Sequence, residues 1–182
     1  MPRIKAADLQ GILLNTDFLI TNMHVTLKPV GTGDDDFLYR VYASTRSDEM
    51  ALVDWSAEQK KAFLHMQFQS QTTHYRAYYP HAEHQIIQRD DSIPLGRLIV
   101  DRSSDSMLIV DIALLPEYRH AGIGTTIIQQ LMTEAARANL PIILHVEFFN
   151  PALKLYSRLG FVKTSEITIY HEMIWKPDTN PS

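Results

Sequence analysis

Seven consecutive residues, Arg119-His120-Ala121-Gly122-Ile123-Gly124-Thr125, combine a cation, two glycines one residue apart and a hydroxyl. They stand between an apolar run, Met107–Leu115, and an amphipathic stretch beginning at Gly122. A glycine-rich strand-to-helix turn leaves several backbone N–H groups converging on one point, and the helix dipole adds partial positive charge there. The chemistry that fits is capture of a phosphate or another anion. Gly122 and Gly124 would permit close approach or backbone angles that a Cβ forbids, while Arg119 and Thr125 can add a cation and a hydroxyl donor.

Two familiar phosphate-binding patterns do not fit. A dinucleotide fingerprint needs a third glycine where Ile127 stands, and a P-loop needs lysine then serine or threonine after the second glycine, where Thr125 and Thr126 stand. A glycine-bearing helix start with no ligand is the other reading these residues leave open.

The elements that must position this turn form a mixed pattern. Strands are expected near residues 24–30, 85–89, 94–101 and 107–115, the last three as an antiparallel meander across the polar breaks 90–92 and 102–105. A first helix is expected over 37–45 after the acidic turn 31–36. Residues 47–55 read as a loop, and Ser56 with Gln59 offers a capping box for a helix over 57–78 that stops before Pro80. Ile123, Ile127, Ile128, Leu131, Met132 and Ala135 share one face of a helix over 122–138. A strand over 142–148, a short helix opened by Asn150-Pro151 and ended by Gly160, and strands near 161–165 and 167–175 complete the chain. The order predicts a mixed α/β sheet in one domain over 21–177, with residues 1–20 as an extension and 178–182 as a polar tail.

Arg119-x-x-Gly122-x-Gly124 resembles the Gln/Arg-x-x-Gly-x-Gly/Ala motif of the GNAT superfamily of N-acetyltransferases. Asn150-x-Ala152-x-x-x-Tyr156-x-x-x-Gly160-Phe161 is similar to a second hallmark of that family, in the same order and at the expected distance. His120 departs from the pattern, since many members carry glycine there. The resemblance implies the GNAT fold, a twisted mixed sheet of about six to seven strands flanked by about four helices and splayed before Arg119 and before Asn150. It implies acetyl-coenzyme A as cosubstrate, with the pyrophosphate on Arg119, His120, Ala121, Gly122, Ile123, Gly124 and Thr125. The pantetheine arm would run along Ile112, Ala113 and Leu114, with Asn150, Ala152 and Tyr156 beside the thioester. It further implies direct acetyl transfer to a primary amine in a ternary complex. A non-catalytic acyl-coenzyme A sensor and a longer-chain acyltransferase are the alternatives.

An alkylamine is almost wholly protonated at pH 7, so such a transfer needs a base or a water chain, an N–H for the oxyanion and an acid for the departing thiolate. Tyr156 matches the family's general acid; by helical spacing alone it would pack with Ala152 and Leu159. Asp111 interrupts an apolar strand and can serve as base or as a structural ion pair. His145 matches a position where some members place a catalytic glutamate, and strand alternation puts it on one face with Glu147, which would otherwise be a solvated strand end. Met50, Leu52, Trp55, Tyr75 and Tyr78 are candidates to line the acceptor pocket, or core residues.

Composition narrows the remaining classes. The 182 residues carry 17 basic and 21 acidic side chains, a net charge of −4, which is no footprint for nucleic acid or an anionic membrane. There is no cysteine, which excludes disulfides, thiolate metal sites and cysteine nucleophiles. His81-x-x-His84 lacks further ligands, so no metal is expected. No run reaches the ~18 apolar residues of a membrane span, and no cleavage site clearly follows the apolar patch 9–14, so a cytoplasmic protein is expected. An amine-bearing acceptor, small molecule or protein, is the expected partner, and a homodimer is left open.

Overall fold

A computed structural model describes residues 24–89 and 92–178. The extension expected over 1–20 lies outside the described residues. Seven strands form one sheet: β1 (Val25–Pro29), β2 (Glu83–Arg89), β3 (Pro94–Arg102), β4 (Met107–Leu114), β5 (Ile142–Glu147), β6 (Val162–Ile167) and β7 (Tyr170–Trp175). Their order is β1-β2-β3-β4-β5-β7-β6. Every neighbouring pair is antiparallel except β4 and β5, which run parallel. Five helices complete the described fold: α1 (Asp35–Thr45), α2 (Ser47–Ala51), α3 (Ala57–Tyr78), α4 (Ile123–Ala138) and α5 (Leu153–Arg158).

Local chemistry explains most boundaries. Ser56 and Gln59 form the reciprocal capping box that starts α3. Asn139 and Gly160 adopt the left-handed conformation that closes α4 and α5. The stretch 47–55 differs from expectation, because its first five residues are α2. Asp48 and Glu49 suit the first turn of a helix, and Arg46 reaches Glu49 at 2.8 Å. Alternation between polar groups had disguised one helical turn as a loop.

One main core lies between the sheet and α4, where Ile127, Ile128 and Ala135 meet Leu98, Val100, Ile142 and Leu144. Burying this apolar stripe is what holds α4, and hence the turn before it, in a fixed position. On the other side α1 and α3 pack through rings: Tyr39 stacks on His65 at 3.7 Å, and Tyr42 tilts against Phe68 at 5.7 Å.

Two features shape β4. Its register with β3 shifts between Ile99 and Val100, which pair with Asp111 and Ile109, so Val110 is the extra residue of a β-bulge. Towards the other end β3 comes very close at Gly96, where a Cβ would sit 2.2 Å from the Ala113 carbonyl oxygen. Gly96→Ala is therefore expected to cost about 3 kcal/mol, the upper range for overpacking. A urea midpoint equal to that of the unsubstituted protein would refute this.

Candidate active site

The pairing of β4 with β5 covers only Met107–Ile109 and Ile142–Leu144. Beyond these residues the strands separate, and the edge of β4 from Val110 to Leu114 faces a gap. A cleft of about 810 Å³ occupies this region, with Val110, Asp111, Ile112 and Ala113 on one side and His145, Glu147 and Asn150 on the other. Arg46 and Gln71 close it from the helical side. The five residues of open edge span roughly 16 Å at ~3.3 Å each. They lead from the cleft through a 3₁₀ turn, Pro116–Tyr118, to the start of α4.

That helix start has the expected form. Gly122 precedes α4 with φ of +79°, and His120 has φ of +61°. Thr126 N–H is the first to find a carbonyl, that of Gly122 at 3.0 Å, and the N–H groups of Ala121 to Thr125 find no backbone carbonyl among the described residues. Gly122 is explained by its angle. Gly124 is not: a Cβ there would meet only Leu155 Cδ2, at an ordinary 3.9 Å. A glycine that costs a helix ~1 kcal/mol relative to alanine, with no neighbour requiring it, fits the approach of something outside the chain.

Arg119 takes a different post from the one its charge suggested. Its Nε donates to the Leu114 carbonyl at 2.9 Å, and its Nη2 donates to the Ser44 carbonyl and hydroxyl at 3.2 and 3.0 Å. The guanidinium ties the end of β4 to α1. One carbonyl of the Ile112–Leu114 stretch is thereby occupied.

The bulge decides what Asp111 faces. Continuing the register Val100–Ile109 without interruption would set Asp111 opposite Leu98, on the core side. The extra residue sets it opposite Ile99, on the side of Arg97. There Asp111 accepts a hydrogen bond and ion pair from Arg97 Nε, while Arg97 Nη2 donates to Gln71 Oε1 at 2.7 Å. Arg97 is 5% exposed and its guanidinium lies 6.0 Å from the Tyr42 ring centre. The sequence holds a signal for this pair, since both residues interrupt apolar strands of one hairpin.

His145 lies on the exposed face of β5 with Glu147, as alternation requires, while Leu144 and Val146 are buried. Its Nε2 stands 3.7 Å from Glu172 Oε2 on β7. A hydrogen bond from the Thr164 hydroxyl, at 2.6 Å, holds the Glu172 carboxyl below the usual range, so it is charged at neutral pH. Asn150 uses its side-chain oxygen to accept from Ala152 N–H at 2.9 Å, which shapes the turn into α5.

Tyr156 is 7% exposed and packs edge-on to Phe161 at 5.8 Å. It belongs to the main core and is not among the residues lining the cleft. Burial, and then the nearby Asp111 charge, push its phenol up to about 12. Of the five residues considered for an acceptor pocket, Tyr75 lines both the cleft and a second cavity. Tyr78 is exposed and stacks on His74, Leu52 is exposed, and Trp55 packs against Phe63. None of these three lines the cleft, nor does Met50.

Among the described residues there is no group of three or more metal-ligating side chains, and no helix is long and apolar enough to cross a membrane. Residues 80–163 match the family-wide profile described as the acetyltransferase (GNAT) domain. No curated protein sequence matches the chain. Among solved structures, the PaiA N-acetyltransferase of Thermoplasma acidophilum in complex with coenzyme A superimposes with a TM-score of 0.64. It shares 16% identity over 85% of this chain and 99% of that one. The spermidine N-acetyltransferase of Vibrio cholerae, in complex with coenzyme A and spermine, has a TM-score of 0.58 and 19% identity over 84% and 95% of the two chains. A Corynebacterium glutamicum protein described as histone acetyltransferase HPA2 and related acetyltransferase gives 0.60 and 17% over 88% and 99%.

Proposed function

We propose that this chain, a member of the GNAT acetyltransferase superfamily through its residues 80–163, moves an acetyl group from acetyl-coenzyme A to a primary amine held in the cleft. The observation that carries this reading is the continuous path from the cleft along the open edge of β4 to the unpaired N–H groups of Ala121–Thr125. The path fits an extended pantetheine arm ending in a pyrophosphate, and Gly124 leaves room for the phosphate. Acetyl-coenzyme A supplies an acyl group already activated as a thioester. The chain has to bind it, bring the amine to it and move two protons.

Binding falls to main-chain groups. Ala121 to Thr125 hold the anion, and Ile112 and Ala113 offer strand-like hydrogen bonds to the arm. The bulge at Val110 breaks the regular ladder beside the gap, and a backbone N–H released there would be the donor for the negative charge that develops on the acyl oxygen. Asn150 borders the other side, its turn held by the hydrogen bond from Ala152 N–H. An incoming ammonium meets Asp48, Glu49 and Glu147 around the cleft, against which Arg46 is the one cation not already paired with Asp111. The balance attracts a cationic amine.

The amine must then lose its proton. Asp111 is committed to Arg97, whereas His145 stands at the cleft with charged Glu172 beside it to steady an imidazolium. We assign His145 as the base. His145→Gln is expected to lower kcat/KM and remove the ascending limb of its pH profile, because the group that takes the ammonium proton is gone. Asp111→Asn should keep that limb. If His145→Gln retains both rate and limb, the assignment to His145 is wrong.

The overall activity is tested by coenzyme A release from acetyl-coenzyme A with a panel of primary amines, scored by free thiol and by mass of the acetylated product. Release with at least one amine is expected. Stabilisation by coenzyme A without turnover on any amine would instead identify a binding module.

A further inference from the structure

A second cavity, of about 350 Å³, lies between α1, α3 and the strands β2 and β3. It arises because the face that α3 turns towards the sheet is not apolar where it crosses β2 and β3. Thr72, Tyr75, Arg76 and Tyr79 follow Phe68 at helical spacing on that face. Opposite them, His84 and Arg97 share the same side of the sheet with Ile99. Side chains that would close an apolar core are replaced by hydrogen-bond donors.

Most of these polar groups have no partner among the described residues, and neither does the buried Gln85 Oε1 in the same lining. Among the described residues, the hydroxyls of Thr72, Tyr75 and Tyr79, the Arg76 guanidinium and the His84 imidazole make no hydrogen bond or ion pair. Asp35 is the single carboxylate in the lining. Burial, with the Arg76 and Arg97 charges adding to it, lowers the His84 pKa, and burial also drives the Tyr75 phenol above its usual range. The lining thus holds two guanidiniums, Arg76 and Arg97, against the one carboxylate of Asp35, and Arg97 keeps its Nη1 free of partners among the described residues. The hydroxyls around them donate as well as accept, as the unpaired Gln85 Oε1 accepts, so a ligand that brings negatively charged oxygens completes the pocket.

We propose that this cavity is a binding pocket for a small carboxylate, held by Arg76, Arg97 and the tyrosine hydroxyls. Tyr75, Tyr79 and Arg97 line both this cavity and the cleft. A carboxylate in the first is therefore separated from an amine in the second by a single layer of side chains. Two sources supply the same chemistry: the acid group of the acceptor itself, which would make the acceptor an amino acid-like molecule, or a free carboxylate that modulates turnover. Only the choice between them rests on the acetyltransferase reading.

The test uses the full chain saturated with coenzyme A and titrated with pentanoate, with pentylamine, which lacks the carboxylate, as the control. Pentanoate is expected to raise Tm and to bind at least tenfold more weakly to Arg76→Gln, and again to Tyr79→Phe, while the stabilisation by coenzyme A stays the same. That unchanged stabilisation also reports that the variants are folded. Failure of pentanoate to bind, or equal affinity in both variants, overturns the pocket. Loss of coenzyme A stabilisation in the unsubstituted protein would overturn the cofactor assignment and leave the pentanoate result standing. The sources separate kinetically. If the acceptor's own acid group is the occupant, ω-amino acids from β-alanine to 6-aminohexanoate include one with kcat/KM above that of pentylamine, and Arg76→Gln erases the difference. If a free carboxylate is the occupant, pentanoate alters pentylamine turnover without competing with it.

Discussion

In Gly124→Glu, coenzyme A should no longer raise the melting temperature. A ligand at 100 times its Kd that binds only the folded state adds about 2.7 kcal/mol. For a chain of this size each kcal/mol moves Tm by ~2–4 °C, so the unsubstituted protein should shift by roughly 5–10 °C. The glutamate would enter where the phosphates are proposed to lie, bringing bulk and a negative charge to N–H groups that should hold an anion. The fold itself has room, because the only atom near a Cβ at this position is Leu155 Cδ2 at 3.9 Å. Gly124→Ala separates the causes. It adds the Cβ alone, should stabilise the free protein by up to ~1 kcal/mol through helix propensity, and should weaken coenzyme A less than the glutamate does. A full thermal shift in folded Gly124→Glu would show that the start of α4 is not the anion site.

The contrast between what the sequence disclosed and what it concealed follows from range. The α4 stripe, the Ser56 cap and the glycine punctuation at 122 and 160 are local, and each acts through neighbours a few residues away. The strands and their meander were legible for the same reason. Hidden features depend on a single residue in a long-range register. The bulge at Val110 leaves no composition mark, yet it turns Asp111 from the core side to the side of Arg97. Arg119 shows the opposite limit. Its presence in the motif was plain, but its hydrogen bonds to Ser44, 75 positions away in sequence, depend on where α1 packs. The second cavity was concealed because the aromatic spacing of α3 is the same whether the helix meets a core or a pocket.

The substitution Tyr156→Phe carries the largest kinetic expectation, a fall in turnover of roughly 10²–10⁴-fold with coenzyme A binding preserved. Phenylalanine keeps the ring, its edge contact with Phe161 and the volume of the core, and removes only the hydroxyl. Burial first, and the Asp111 charge second, hold the phenol up to about 12, so it is a proton donor and not a base at any ordinary pH. A donor with this pKa also fixes the alkaline behaviour. An acid must be protonated to act, and activity is lost only as pH rises through its pKa in the folded state. The plateau of kcat should therefore persist through pH 10, where an ordinary phenol would already be half ionised. Tyr156 belongs to the core and does not line the cleft, so acid catalysis requires its hydroxyl to turn towards the departing sulfur from within the core. Packing and catalysis make opposite forecasts here. If Tyr156 serves packing alone, Tyr156→Phe turns over normally, because the phenylalanine preserves every apolar contact of the ring. If it is the acid, the loss appears in kcat while the thermal shift with coenzyme A is retained, because the missing proton is needed when the thiolate departs and not when the thioester binds.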